Sequence, residues 1–152
     1  DIWKMVQKKE IYKDWTLTIV GEGELKTTIE QKIKEDKLEN SVILKPFTKE
    51  IEKEYLKASI YAMTSHYEGF GMVLIESANF ALPSIAFDIN AGPSDIIENK
   101  KSGFLIEDGN LQEFADKICL LMDNENLRKQ MGQNAKEKIQ NEFSKEIIMQ
   151  KW

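Results

Sequence analysis

The chain has 152 residues, 41% of them hydrophobic and 31% charged, which suits a globular domain with a sizeable core and excludes a disordered polymer. A net charge of -5 and an isoelectric point near 5.1 argue against a nucleic-acid or anionic-membrane surface. A single cysteine, Cys119, precludes an internal disulfide and fits a reducing, cytoplasmic compartment, while no apolar run approaches a membrane span and the N-terminus lacks a signal-peptide layout.

Helical spacing of Ile2, Met5 and Val6 predicts a helix over Asp1 to Tyr12. Trp15 to Val20 is rich in β-formers and runs into Gly21-Glu22-Gly23, a strand ending in a turn. Leu25, Ile29, Ile33 and Leu38 predict the next helix. Val42 to Leu44 form a second strand, which Pro46 closes because it cannot donate to a ladder. Thr48 reads as the N-cap of a short helix holding Ile51, Tyr55 and Leu56. Ile60 to Met63 is a third strand, Gly71 to Phe80 a helix broken by Pro83, and Ser84 to Phe87 a fourth strand. After the loop Asp88 to Pro93, Ser94 and Asp95 stand where a cap and a first-turn acid would, before Ile96 and Ile97. Phe104 to Ile106 is a short fifth strand. Leu111 to Asp123 is helical, with Cys119 in its apolar stripe. Leu127, Met131, Ala135 and Ile139 give a further helix, and Phe143 begins a last helical segment running to Trp152. Short apolar strands alternating with helices predict an α/β, Rossmann-like parallel sheet with helices on both faces. Residues 1–152 read as a single domain.

The stretch from Thr64 to Glu76, T-S-H-Y-E-G-F-G-M-V-L-I-E, carries the chemistry. A strand, a glycine turn and a helix N-terminus make a pocket for an anion. Gly69 and Gly71 let backbone approach a ligand, and the helix that follows offers unpaired N–H groups from Gly71, Met72 and Val73. Glu68 precedes that helix and Glu76 lies about a turn and a half into it. Carboxylates repel phosphate but accept hydrogen bonds from diols, so the pair suits a ligand with both hydroxyls and phosphate. Gly21-Glu22-Gly23 is weaker evidence, as it lacks the third glycine of a dinucleotide fingerprint. The only histidine, His66, has no evident partner and reads as structural or rim. Any one of these acids alone would read as a helix-dipole or surface residue.

E-G-F-G-M-V-L-I-E resembles the E-x7-E motif of glycosyltransferase family 4, in the C-terminal domain of the GT-B fold. T-L-T-I-V-G-E-G-E, Y-L-K-A-S-I-Y-A-M-T-S, A-L-P-S-I-A-F-D and A-G-P-S-D-I-I-E-N-K-K-S-G-F-L-I resemble the neighbouring units of that domain, the last being most similar to bacterial lipopolysaccharide and capsule sugar transferases. The resemblance implies a donor-binding domain of a retaining glycosyltransferase that transfers a sugar from a nucleotide sugar, a UDP-sugar foremost, to a glycan or glycolipid acceptor. It implies that Glu68 binds donor-sugar hydroxyls, that backbone at Gly69, Phe70 and Gly71 lines the sugar, that Met72 and Val73 amides bind the diphosphate, and that Glu76 holds the ribose. Gly21, Gly23, Lys45 and Pro46 would flank the base. No metal or other cofactor is then needed. The family's first strand, with its Arg and Lys, and the acceptor-binding N-terminal domain are not in the sequence. The chain is thus expected to be a piece of a longer protein, cytoplasmic and peripheral at the inner membrane face. Two rivals stand beside this expectation: a non-catalytic nucleotide- or sugar-binding module on the same fold, and a glycosidase using the two carboxylates.

Overall fold

A computed structural model of the chain describes residues 1–143. The chain divides into two compact units, Asp1–Ile51 and the residues from Glu52 onward. All strand pairing is parallel.

The first unit holds α1 (Ile2–Val6), a 3-10 turn (Glu10–Tyr12), β1 (Leu17–Val20), α2 (Lys26–Glu35) and β2 (Val42–Lys45). β1 and β2 pair from Leu17 with Val42 to Val20 with Lys45. The first helix stops at Val6 rather than running to Tyr12. Gln7 turns its side-chain amide back to donate to the Tyr12 carbonyl at 2.9 Å, and this fold-back buries both Val6 and Tyr12. Trp3 is buried and donates its indole N–H to Ser41 Oγ at 3.0 Å, the partner a buried indole needs. α2 buries no side chain. Asp36, at its end, receives Lys4 and Lys32, whose bonds hold its carboxyl below the usual carboxylate range. The helix expected to start from Thr48 begins only at Glu52. Thr48 Oγ1 instead accepts from the Glu50 amide at 3.1 Å, the local turn that threonine hydroxyls favour.

The second unit contains α3 (Glu52–Tyr55), β3 (Tyr61–Met63), α4 (Met72–Asn79), β4 (Ser84–Asp88), α5 (Pro93–Ile96), β5 (Gly103–Glu107), α6 (Leu111–Asp123) and α7 (Glu125–Glu142). Its sheet runs β3-β4-β5, with β4 central and Ser84 to Phe87 all buried, as a strand covered on both faces must be. Met63, Leu74, Ala78, Ala86, Ile96, Ile97, Ala135 and Ile139 form one core cluster. Phe87 and Phe114 meet edge to face in the same unit, their centroids 5.0 Å apart. α6 is capped by Asn110, which accepts from the Glu113 amide at 3.1 Å, and α7 by Asn124, which accepts from Leu127 at 2.9 Å. Arg128 donates to the Leu121 and Met122 carbonyls, filling acceptors that the end of α6 leaves open. Cys119 is buried, as its place in the α6 stripe predicts.

The cap of α5 is Gly92 rather than Ser94. Gly92 has φ 95°, and Pro93 takes the first helical position, where its missing N–H has no consequence. Ser94 and Asp95 therefore lie inside the first turn. Beyond Phe143 itself, the last helical segment expected up to Trp152 lies outside the described residues.

Candidate functional site

Residues Thr64 to Gly71 leave the carboxyl end of β3 and deliver the chain to α4. Gly71 caps that helix in the left-handed region, φ 83° and ψ 44°, a conformation that costs a glycine nothing. The Leu74 amide closes the first turn onto the Gly71 carbonyl at 2.8 Å, while Leu74 itself is buried beneath. The first N–H groups of a helix have no intrahelical acceptor, so Met72 and Val73 present donors at the end of the loop. Phe70, just before, is gripped from two sides. Its carbonyl lies so close to Gly92 that a Cβ there would stand 2.5 Å from the oxygen, and its ring lies 5.8 Å from that of Phe143.

The two acids flank this helix start. Glu68 is half-buried in the loop, and Glu76 is exposed on the fifth residue of α4, about 7 Å along the axis from Gly71. Tyr55 donates its hydroxyl to Glu76 Oε2 at 3.0 Å. Tyr55 also stacks on Phe80 and meets Tyr61 edge-on, with centroids 5.4 and 6.0 Å away, so Glu76 is held over an aromatic floor. Burial pushes the Tyr61 phenol up to about 12, and the charges of Glu76 and then Glu68 add to the shift. Both acids therefore act on one tyrosine. Tyr55 is raised further, by burial first and then by Tyr61 and Glu76. These two tyrosines were missed in the sequence, where they read as helix and strand core; a hydroxyl 21 positions from Glu76 gives no local signal.

His66 has a partner after all. Its Nδ1 lies 2.6 Å from Asp108 Oδ1, and its ring stacks on Phe87 with centroids 5.7 Å apart.

In the first unit, Gly21, Gly23 and Lys45 line an open groove of about 500 Å³, together with Ile19, Leu25, Ile29 and Leu44. The Gly21 amide donates to the Lys45 carbonyl at 3.0 Å, which extends the β1–β2 ladder by one bond into the loops. Pro46 follows Lys45, exposed, and is not part of the lining. Among the described residues no group of three or more His, Cys, Asp or Glu is placed to hold a metal ion, and no helix is long and apolar enough to cross a membrane.

In parallel α/β units a glycine-capped helix at the carboxyl end of a strand is the place where anionic ligands are accommodated. The chain belongs to the glycosyl transferases group 1 family, whose model matches residues 2–138. It is 40% identical over 152 residues to the amylovoran biosynthesis glycosyltransferase AmsD of Erwinia amylovora, covering 100% of this chain and 41% of that one. It is 41% identical over 134 residues to the poly(ribitol-phosphate) alpha-N-acetylglucosaminyltransferase of Staphylococcus aureus, covering 88% of this chain and 27% of the relative. The chain thus spans less than half the length of these relatives. Among solved structures, a mutant of S. aureus TarM in complex with Fondaparinux, alpha-GlcNAc-glycerol and UDP superposes with a TM-score of 0.94 at 38% identity, covering 99% of this chain and 30% of TarM. The structural neighbours are GT-B glycosyltransferases, and the fold is Rossmann-like α/β, as expected from the strand and helix order.

Proposed function

We propose that the chain is the donor-binding part of a retaining, metal-independent glycosyltransferase of family 4 that takes a UDP-sugar and delivers the sugar to a glycan or glycolipid. The observation that carries the reading is the placement of two carboxylates on either side of the α4 N-terminus, one in the loop and one held by Tyr55. Glu76 accepts both ribose hydroxyls; the Met72 and Val73 amides receive the diphosphate; Gly69, Phe70 and Gly71 bring backbone against the sugar; Glu68 accepts its hydroxyls. UDP bound to the TarM relative supports the choice of nucleotide, and the amylovoran biosynthesis and poly(ribitol-phosphate) relatives support a polymeric acceptor.

The chemistry follows from charge. As the anomeric carbon–oxygen bond breaks, negative charge grows on the diphosphate, where helix donors stabilise it without reorganising. The acceptor oxygen forms its bond on the face the diphosphate leaves and passes its proton to the departing diphosphate oxygen, and the sugar passes through a cation-like state that Glu68 orients. A second protein domain is required to bring the acceptor.

Calorimetry with UDP tests the ribose assignment. Glu76→Ala removes a charge-assisted acceptor and is expected to weaken UDP binding by about tenfold or more. Unchanged affinity in that variant sinks the assignment.

A further inference from the structure

The loop that carries Glu68 is a bridge with two fixed ends. From Thr64 to Gly71 the chain forms neither helix nor strand. The downstream end is Phe70, held against Gly92 and Phe143. The upstream end is His66, held twice: by Asp108 at 2.6 Å, and by the face of Phe87, whose plane lies 16° from its own. One holder is in the core and the other sits in the turn between β5 and α6. Phe87 is 1% exposed and wedged against Phe114. Asp108 stands between Glu107, the last residue of β5, and Asn110, the side-chain cap of α6. Between the ends the neighbours of the half-buried Glu68 are open. Tyr67 is 88% exposed, and a Cβ built on Gly69 would meet no atom within 4 Å.

We propose that His66, through its bond to Asp108 and its stack on Phe87, is a positioning residue that fixes Glu68 over the donor sugar. The proposal rests on the donor reading of Glu68. His66 acts through the loop and needs no contact with the ligand. With a proton on Nδ1 the ring donates to the Asp108 carboxylate. A flexible side chain would hold the loop less well: the imidazole is planar, has two rotatable bonds, and both are fixed here by the stack and the carboxylate.

The full chain, at 17.6 kDa, suits nitrogen-relaxation measurements by NMR, paired with calorimetry against UDP, UDP-glucose and UDP-N-acetylglucosamine. In His66→Ala and in the His66→Ala/Asp108→Ala double variant, amide order parameters at Glu68 and Gly69 are expected to fall equally, from about 0.85 toward about 0.6, and in Asp108→Ala, which keeps the Phe87 stack, by less. His66→Asn, whose side-chain amide can still donate to Asp108 but cannot stack on Phe87, restores the part of the order that the hydrogen bond supplies. UDP affinity stays unchanged in every variant, while the additional affinity conferred by the sugar falls about fivefold, the loss of roughly one hydrogen bond. Unchanged order parameters, or effects that add in the double variant, overturn the tether. Equal losses for UDP and the UDP-sugars overturn the link to Glu68, as they report general loosening. A wild-type chain that gains nothing from either sugar over UDP also overturns the role, and one that binds no UDP removes the donor reading itself, a failure visible apart from the loop measurements.

Discussion

Replacing Gly92 by alanine separates steric from conformational cost at the back of the candidate site. The new Cβ would stand 2.5 Å from the Phe70 carbonyl oxygen, where ordinary contact begins near 3.4 Å, so one of the two must retreat by about 0.9 Å. Neither partner is a side-chain tip that can swing away: the Phe70 carbonyl is backbone and a Cβ is fixed directly to backbone. Overpacking of this kind costs about 1–3 kcal/mol. A positive φ of 95° adds about 1–2 kcal/mol for any residue with a Cβ. The sum is near 3 kcal/mol, a fall in Tm of roughly 9 °C for a domain of this size. Gly109 provides the control, with φ 82° and nothing within 4 Å of its Cβ position. Gly109→Ala should lose only the conformational part, about 1 kcal/mol and roughly 3 °C. Thermal unfolding followed by circular dichroism reads both, and UDP-sugar affinity should fall only in Gly92→Ala, since Phe70 carries the loop with it. Equal destabilisation by the two substitutions refutes the close approach of Gly92 to Phe70.

Two further outcomes follow from the titrating groups. Tyr61 stays protonated to about pH 12 in the folded chain against 10.0 unperturbed, so its contribution to stability is complete below pH 10 and is lost as pH rises through 12. Absorbance titration at alkaline pH should show Glu76→Gln lowering that phenol's midpoint; no movement would deny that Glu76 faces Tyr61. Asp36 titrates below its unperturbed value of 3.8 because Lys4 and Lys32 bond to it, so its contribution is present above that pH and lost as pH falls through the lower, folded value. Urea unfolding across the acid range should show Asp36→Asn flattening the pH dependence for the first unit, and an unaltered slope would count against the Lys4 and Lys32 bonds.

Legibility in the sequence followed the range of the interactions. α6 begins at Leu111 and ends at Asp123 as its apolar spacing and the turn at Asp108 to Asn110 dictate, because periodicity and capping are local. The Gly71 start of α4 was equally legible, and with it the placement of Glu68 and Glu76 around a helix N-terminus. Caps were harder. Thr48 and Ser94 are both suitable cap residues, yet Thr48 bonds two residues on and Pro93 claims the first helical position ahead of Ser94. Thr48 is decided by its own hydroxyl, which closes a local turn, and Ser94 by the stricter backbone requirement of its neighbour Pro93. The tertiary partners were illegible: Asp108 lies 42 residues from His66, and only the parallel pairing of β3, β4 and β5 brings the two strand ends to the same edge. Tyr55 reached Glu76 by the same kind of long connection.

Cys119 has a practical consequence. It is the one thiol in the chain and is 6% exposed on the inner face of α6. A disulfide reagent can reach it only when that helix lifts from the second unit, so the labelling rate measures how often the unit opens. The chain thus carries an internal clock for its own breathing, readable without any engineered probe. Ligand bound at the α4 N-terminus should slow that clock in proportion to the fraction of sites filled.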